Sequence, residues 1–359
     1  MRLRRMKFSD EEIELYSRQI VLPEIGVSGQ EKLKTARVAV IGIGGLGCPT
    51  VVSLAAMGVG YIRIVDRDVV EKSNLHRQHL YSYKDLGYPK VEVAARKLKE
   101  LNPYIEVDPL PVCIDEATAR DVVSGVDLVI DGLDNITARR VINEACLEVG
   151  TPYLFSSAIQ TYGVASLIIP GKTACLECLY ANVSDEDLPT CSVIGVHPAI
   201  LQLISAIQVS EATNYLTRSS SMLEGKLLFC DLKSLSIEFI PVKRAGKCPA
   251  CGEKMKAPKE AKKYPIVEEV CGREGAATFI VNPGKSIRLS PEAFSHIMRK
   301  HEVKPLVSGE LGLTFSYEGG LKVSLLKSGV AIIEGAGSKE QALEVYKNII
   351  AEIQLDYEN

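Results

Sequence analysis

The chain has 359 residues, 46% of them hydrophobic, and a formal net charge of −3. This length predicts one to three domains with a sizeable apolar core. A charge so close to neutral offers no basic surface for nucleic acid or an anionic membrane, so neither is an expected partner. The first residues are basic and then acidic, without the apolar core of a signal peptide, which predicts a cytoplasmic protein.

The first regular elements predict a βαβ unit. Continuous apolar runs at 37–41 and 61–66 are typical of buried strands. Between them lie a glycine-rich turn at 42–47 and a helix of small residues at 49–57. The uncharged run 38–62 is therefore read as this unit and not as a membrane span, because it contains six glycines and a proline.

The alternation of strands and helices continues beyond this unit. Strands are predicted at 127–131 and 153–155, with a helix at 138–149 between them. Residues 163–170 and 226–241 resemble antiparallel strands. We therefore predict an α/β fold with a Rossmann-like, doubly wound and mostly parallel sheet, an antiparallel extension of that sheet, and a small C-terminal α+β domain.

Composition also predicts the domain boundaries. Residues 1–251 are expected to form one domain. Residues 252–265 contain five lysines and two prolines without apolar periodicity, which predicts a linker. Residues 266–359 have a core pattern of their own and are expected to form a small accessory domain.

Gly42, Gly44 and Gly47 form a Gly-x-Gly-x-x-Gly motif between a strand and a helix. Without side chains, such a loop brings backbone amides and the helix N-terminus to a phosphate group. Asp66 ends the next strand, where a carboxylate suits the ribose hydroxyls of an adenine nucleotide. The motif predicts nucleotide binding, and simple close packing of strand against helix is the alternative.

The residues that follow Asp66 favour a nucleoside triphosphate. The loop 66–78 combines acids, amides and bases, and Lys90 opens the next helix. Basic side chains suit a polyphosphate, and a carboxylate can hold Mg²⁺. Asp134 and Asn135 follow a later strand, at the sheet edge where such folds bind ligands. An NAD(P)-dependent oxidoreductase is the alternative that the bare glycine motif allows.

Six short motifs occur in order over about residues 10–251. They are Arg18-Gln19-Ile20, Gly42-x-Gly44-Gly45-x-Gly47, Asp66-x-Asp68, Ser73-Asn74-Leu75-x-Arg77-Gln78, Pro89-Lys90 and Asp134-Asn135-x-x-x-Arg139. Together they resemble the ThiF/MoeB family, the prokaryotic relatives of ubiquitin-activating enzymes. The resemblance implies an ATP- and Mg²⁺-dependent adenylyltransferase that activates the C-terminal glycine carboxylate of a ubiquitin-like sulfur carrier protein.

The resemblance also implies roles for individual residues. Asp66 would hold the ribose, Asn74, Arg77 and Lys90 would contact phosphates, and Asp134 would bind Mg²⁺. The cofactor-binding set is expected to be Gly42, Gly44, Gly45, Gly47, Asp66, Asp68, Asn74, Arg77, Gln78, Lys90 and Asn135. The catalytic set is expected to be Arg18, Arg77, Lys90, Asp134 and Cys191. In this family the residue at the position of Arg18 reaches into the partner subunit's site, which implies a homodimer.

The partners implied by the resemblance are a carrier protein with a Gly-Gly C-terminus and a sulfur donor protein. The carrier could serve molybdopterin biosynthesis, thiamine biosynthesis, tRNA thiolation or protein conjugation. An enzyme that adenylates a tRNA-bound or small-molecule carboxylate is a second alternative. A docking scaffold without catalysis is a third.

Four of the ten cysteines form two Cys-x-x-Cys pairs, Cys175 with Cys178 and Cys248 with Cys251. Four thiolates suit tetrahedral Zn²⁺, and each pair delivers two ligands from one turn. We therefore predict a structural zinc site that joins two distant segments. A redox dithiol at either pair is the alternative.

The remaining cysteines divide by their surroundings. Cys191 lies in a polar stretch, and the resemblance places there a cysteine that forms a thioester or persulfide; a thiol without a role is the alternative. Cys271 has a local sequence that only superficially resembles a sulfurtransferase loop, and burial is expected. Apolar surroundings predict small core residues at four positions, Cys48, Cys113, Cys146 and Cys230.

The accessory domain departs from the minimal family pattern. Residues 321–333 predict a β-hairpin, and residues 340–353 predict an amphipathic helix. We expect this domain to dock the carrier or the sulfur donor.

Overall fold

The computed structural model describes residues 8–181, 183–186, 194–252, 266–273, 276–284, 287–351 and 356–357. The first of its sheets has eight strands in the spatial order β3-β2-β1-β4-β5-β6-β7-β8. These strands are β1 (Arg37–Ile41), β2 (Tyr61–Val65), β3 (Glu106–Leu110), β4 (Leu128–Asp131), β5 (Tyr153–Ile159), β6 (Tyr162–Ile168), β7 (Lys226–Asp231) and β8 (Ser236–Pro241).

Strands β3, β2, β1, β4 and β5 pair in parallel, and β6, β7 and β8 extend the sheet by antiparallel pairing. The predicted Rossmann-like sheet with an antiparallel extension is confirmed. Because β1 lies between β2 and β4, the chain reverses its direction of strand addition at β1. In open α/β sheets, such a reversal opens a crevice at the carboxyl ends of the strands.

Helices cover both sides of this sheet. They are α1 (Asp10–Ile20), α2 (Gly26–Thr35), α3 (Gly47–Ala56), α4 (Lys90–Leu101), α5 (Ala119–Val123), α6 (Ile136–Val149), α7 (Leu176–Leu179) and α8 (Pro198–Arg218). Val38 and Val40 pack into the core on one side of β1, and Ala39 and Ile41 pack into the core on the other. A strand buried on both faces needs apolar residues at every position, which explains the continuous apolar run.

The second sheet has six antiparallel strands in the order β12-β13-β14-β15-β10-β9, and we refer to it as the C-terminal sheet. Its strands are β9 (Ile266–Arg273), β10 (Ala276–Asn282), β12 (Pro305–Ser308), β13 (Gly312–Tyr317), β14 (Leu321–Leu326) and β15 (Ala331–Glu334). A two-stranded pair joins β11 (Ile287–Arg288) to β16 (Asp356–Tyr357). The predicted small α+β unit is confirmed.

One face of the C-terminal sheet packs against α9 (Pro291–Lys300) and α10 (Lys339–Ile350). Phe279, Phe315 and Val323 on the strands meet Ile297 and Tyr346 on these helices in one apolar core. The opposite face packs on the eight-stranded part of the chain. Both faces of this sheet are therefore covered.

Sequence reasoning placed several boundaries differently. The helix after the glycine turn starts at Gly47, two residues before the predicted start, whereas α4 begins at Lys90 as expected. Strand β3 was not predicted, because it contains a proline and is only half buried at the sheet edge. Among the described residues, none of the helices combines the length and apolarity needed to cross a membrane.

Candidate active site and metal centre

The predicted nucleotide-binding residues lie at the carboxyl ends of three adjacent strands. The glycine loop follows β1, Asp66 follows β2, and Asp134 follows β4. We refer to these strand ends and the loops that follow them as the carboxyl edge. Parallel pairing brings its three segments together although they span some ninety residues of sequence.

The glycines of the loop have different functions. Gly42 has a φ of +89°, and a Cβ at Gly47 would lie 1.9 Å from the Gly42 carbonyl oxygen. A Cβ at Gly45 would lie 2.7 Å from Leu201 on α8. These three glycines allow close packing. Gly44 differs, because the nearest atom to an added Cβ is Gln78 Nε2 at 3.6 Å. The space beside Gly44 is where a ligand can approach the backbone.

Asp66 is fixed by two backbone amides. Its carboxylate accepts hydrogen bonds from Ile43 N and Asp68 N, each at 2.8 Å. The first of these donors belongs to the glycine loop, so Asp66 ties the end of β2 to the turn after β1. Burial raises the pKa of Asp66, and the positive charge of Lys90 opposes that effect.

Lys90 is buried at the start of α4, and its Nζ lies 2.9 Å from Asp68 Oδ2. Burial alone would lower the pKa of Lys90, but the carboxylates of Asp66 and Asp68 outweigh it and raise that pKa. Lys90 is therefore a cation throughout the physiological pH range. A buried lysine held beside two carboxylates places a fixed positive charge at the carboxyl edge.

The segment after Asp68 adds polar groups to this edge. Asn74 is buried and accepts a hydrogen bond from Glu71 N at 3.3 Å. Arg77 donates to the Ser73 carbonyl at 2.8 Å. Gln78 is buried, yet its Oε1 has no hydrogen-bond partner among the described residues. An orphaned acceptor costs free energy, and a ligand that donates a hydrogen bond can offset it.

Asp134 and Asn135 form the start of α6. Asn135 is the N-cap, because its Oδ1 accepts a hydrogen bond from Ala138 N at 2.8 Å. Its Nδ2 lies 3.2 Å from Asp134 Oδ1, which orients the exposed Asp134 carboxylate. The structure thus assigns Asn135 a positioning contact, and its predicted contact with the nucleotide stays a prediction.

Sequence reasoning missed Asp185. Its carboxylate accepts hydrogen bonds from Ile136 N at 2.6 Å and Thr137 N at 3.2 Å, at the N-terminus of α6. A carboxylate is stabilised there by the helix dipole and the unpaired amides. Asp185 therefore holds the segment after α7 beside Asp134.

Arg139 lies in a predicted motif, but its contacts are structural. Its guanidinium forms a buried ion pair with Asp131 at 3.0 Å and donates to the carbonyl oxygens of Leu133 and Ser156. Tyr153 donates a hydrogen bond to the same Asp131 carboxylate at 2.7 Å. This network fixes the end of β4, from which Asp134 follows.

Arg18 is exposed in the last turn of α1. Within the described part of the chain it has no hydrogen bond or ion pair. The structure of one subunit therefore does not bring Arg18 into the bonded network of the carboxyl edge. Its contribution to a partner subunit's site stays a prediction.

The two Cys-x-x-Cys pairs meet in space and form what we refer to as the cysteine cluster. The distances between sulfurs are 3.9 Å for Cys175–Cys178, 3.6 Å for Cys175–Cys248 and 3.5 Å for Cys178–Cys251, and all four sulfurs lie within 4.8 Å of one another. Zinc–sulfur bonds of about 2.3 Å in a tetrahedron require sulfurs about 3.8 Å apart. Ala245 N donates to Cys178 Sγ at 3.4 Å. The donor set fits zinc.

The other cysteines are described in part. Cys48, Cys113, Cys146 and Cys230 are buried, which confirms the expected core positions. Burial raises the pKa of Cys48 and of Cys113 to about 12, so neither is a thiolate at neutral pH. Cys191 lies outside the described residues. Cys271 is in β9, but its side chain lies outside the described part.

The sequence of this chain is similar to those of known proteins. The profile of the ThiF family matches residues 16–250. The SAMP-activating enzyme E1 of Haloferax volcanii is 37% identical over 243 residues, which cover 67% of this chain and 90% of that protein. The sulfur carrier protein adenylyltransferase of Thermus thermophilus is 36% identical over 254 residues, covering 69% and 94%.

The fold also matches a solved structure. The structure of E. coli MccB with ATP has a TM-score of 0.56 and 26% identity, over 63% of this chain and 69% of that one. The family profile covers the carboxyl edge and three of the four residues of the cysteine cluster, Cys175, Cys178 and Cys248. The chain belongs to the ThiF family.

Proposed function

We propose that this protein is an ATP-dependent adenylyltransferase that activates the C-terminal glycine carboxylate of a ubiquitin-like sulfur carrier protein. The observation that carries the proposal is the carboxyl edge, which combines the open side of Gly44, the fixed carboxylate of Asp66 and the buried cation of Lys90. The names of the two relatives, a SAMP-activating enzyme and a sulfur carrier protein adenylyltransferase, support the class of substrate.

The chemistry suits these residues. A carboxylate oxygen of the carrier attacks the α-phosphorus of ATP, the bond from that phosphorus to the bridging oxygen breaks, and pyrophosphate leaves with both electrons. Two anions must approach each other, so the reaction needs positioning and charge neutralisation more than proton transfer. Lys90, Arg77 and Asn74 supply positive charge and hydrogen-bond donors. Mg²⁺ bound at Asp134 would offset further phosphate charge.

The exposed apolar residues on the edge strand β8 favour a protein as the substrate. Leu235 in the turn before β8 is 83% exposed, and Ile237, Phe239 and Ile240 on the strand are about half exposed. Apolar side chains grouped on a sheet edge are typical of protein–protein contacts. We propose that the carrier docks on this strand, with its C-terminal tail extended toward Gly44.

The N-terminal helices support a homodimer. Four apolar side chains on α1, on α2 and in the turn between them are exposed, and Val21 is 75% exposed. They are Leu15, Val21, Leu22 and Val27. We propose that this apolar surface pairs with its copy and carries Arg18 to the partner subunit's site.

The cysteine cluster would hold structural zinc, away from the chemistry. Cys191 would act after adenylation, in a thioester or persulfide with the activated carrier.

The direct test is carrier-dependent exchange of labelled pyrophosphate into ATP. We expect exchange with a Gly-Gly-ended carrier from the same cell and none when the two glycines are deleted. The Cys191→Ala variant should keep this exchange and lose sulfur or conjugate transfer. No exchange with any such carrier would contradict the proposal.

Two further measurements distinguish the alternatives. ATP with Mg²⁺ should raise the melting temperature, whereas NADH should not; the opposite result would indicate a dehydrogenase. Pyrophosphate release without any protein carrier would indicate an enzyme for a small-molecule or tRNA-bound carboxylate.

A further inference from the structure

The C-terminal sheet contacts the segments of chain on either side of Asp66, Asp68 and Lys90. It reaches residues 67–69, residues 87–92 and residues 111–115 through hydrogen bonds, an ion pair and apolar packing. The family profile ends at residue 250, before this sheet begins. Its placement is therefore a feature of this chain that the family does not explain.

The first contact lies in the loop that contains Asp66 and Asp68. Arg67 stands between Asp66 and Asp68 in sequence, and its guanidinium forms two hydrogen bonds with Glu268 of β9, at 2.6 and 3.1 Å. A bidentate arginine–carboxylate pair fixes orientation as well as distance. The backbone on both sides of Arg67 is thus tied to the C-terminal sheet.

The second contact lies at the start of α4, which carries Lys90. The Glu92 carboxylate accepts a hydrogen bond from Leu311 N at 2.7 Å, in the turn between β12 and β13. In the same turn, a Cβ added at Gly309 would lie 2.4 Å from Glu92 Oε1. Thr314 of β13 donates to the Gly87 carbonyl at 2.8 Å.

The third contact is a buried apolar interface between the C-terminal sheet and the eight-stranded part of the chain. Val69, directly after Asp68, and Cys113 pack against Ile280, Leu326 and Ile332 of the C-terminal sheet. All five side chains are at most 2% exposed. Burial of this kind stabilises a single arrangement of the two parts, because every apolar group would be exposed if they separated.

We propose that the C-terminal sheet holds the Asp66–Asp68 loop and the start of α4 in the geometry that ATP requires, so that ATP affinity depends on contacts made by this sheet. The inference rests on the proposed function. Fixing a loop before the ligand arrives lowers the entropy cost of binding. Glu92, Gly309 and Thr314 act here as positioning residues that do not touch the nucleotide. The docking of the carrier or the sulfur donor that the sequence led us to expect stays a prediction.

The test uses full-length variants that leave every charge unchanged, because a new charge near the triphosphate would alter affinity by itself. Gly309→Ala pushes the Glu92 carboxylate away, and Thr314→Val removes the hydrogen bond to Gly87 at nearly equal volume. Gly337→Ala is the matched control, since its Cβ would approach nothing closer than 3.4 Å. Ser324→Ala is the control for Thr314, because it removes only the Thr314–Ser324 bond within the sheet.

Calorimetric titration with ATP and Mg²⁺ measures the outcome, together with the KM values for ATP and for the carrier. We expect each test variant to raise the Kd and KM for ATP about fivefold, at the lower end of usual coupling between sites, while the carrier KM and the control variants stay within about twofold of the wild type. A melting curve of each variant confirms that it is folded.

Each result decides between separate claims. If the wild type itself does not bind ATP, the proposed function is wrong. If the wild type binds ATP and both folded test variants bind it equally well, the inference is wrong. A rise confined to the carrier KM would also overturn it, and would assign the C-terminal sheet to carrier docking. If one test variant does not fold, the other still decides.

Discussion

The carboxyl edge and the cysteine cluster both begin as short sequence motifs, but the fold completes them differently. In the cluster, four sulfurs face one another, and three of the four cysteines are buried. At the carboxyl edge, Asp134 is exposed, the outer side of Gly44 is open, and Gln78 Oε1 lacks a partner among the described residues. The cysteine cluster therefore leaves no position for a further ligand, whereas the carboxyl edge is accessible to one.

This difference distinguishes a structural metal site from a site that binds a substrate. A closed set of four ligands leaves no position for a reacting molecule, so its bound metal contributes to folding. An open edge with fixed charges contributes to binding and chemistry, because its groups keep interactions that only a ligand can complete. The two regions should therefore respond differently to substitution.

The largest effect is expected at the carboxyl edge. Asp134→Ala removes the proposed magnesium ligand, and we expect carrier-dependent pyrophosphate exchange to fall about 100-fold or more with the melting temperature and zinc content unchanged. The matched control is Glu148→Ala, an exposed carboxylate at the other end of α6. Equal activity of the two variants would contradict a role for Asp134 in the chemistry.

The cysteine cluster should show the reverse pattern. Cys248→Ser removes one of four ligands, and we expect zinc content to fall from about one per chain to near zero, with a melting temperature lower by about 10 °C, as a loss of about 4 kcal/mol implies. Metal analysis and calorimetry measure both. Cys230→Ser, in a buried position outside the cluster, should keep its zinc. Exchange below the melting temperature should persist in the Cys248 variant, and its complete loss would mean that the cluster shapes the active site.

Acid should weaken the region next to the carboxyl edge. Burial alone would raise the pKa of Asp85, but the hydrogen bonds from Lys97 and Ser82 outweigh it and hold that pKa below 3.8. Asp85 therefore stabilises the fold fully above pH 3.8, and this contribution is lost as pH falls through its folded pKa. We expect Asp85→Asn to cost about 1–3 kcal/mol at pH 7 and less at pH 2.

Urea unfolding at the two pH values measures this difference. Glu100→Gln, an exposed acid on α4, the helix that carries Lys97, is the control and should cost little at either pH. A penalty for Asp85→Asn that stays constant with pH would show that the loss is one of packing and not of charge.

The smallest effect is expected at the junction of Asp185 with α6. Asp185→Ala leaves two amides at the helix N-terminus without this acceptor, and we expect a loss of about 1 kcal/mol in the free energy of unfolding. Asp185→Asn keeps an acceptor and should lose less. If the alanine variant also lowers pyrophosphate exchange more than its stability explains, the Asp185 contact helps to orient Asp134.

Several residues of the site were predictable because their signals are local. The glycine loop and Asp66 lie in one βαβ unit, and each cysteine pair occupies one turn, so spacing alone predicts their chemistry. Asp185 and Glu268 have no such signal, because their partners Thr137 and Arg67 lie far away in sequence. The boundaries 1–251, 252–265 and 266–359 stay a prediction, and residues 253–265 of the proposed linker lie outside the described residues.

By itself, the sequence determined the alternation of strands and helices, the glycine turn and the two cysteine pairs, because hydrophobic period, backbone freedom and ligand spacing are properties of short segments. Only the tertiary structure decided which glycine is left open, that Asn135 and Arg139 support neighbouring segments, and that the C-terminal sheet packs beside Lys90. Those outcomes depend on contacts between residues up to 227 positions apart, and such contacts stabilise the protein only once the whole chain is packed.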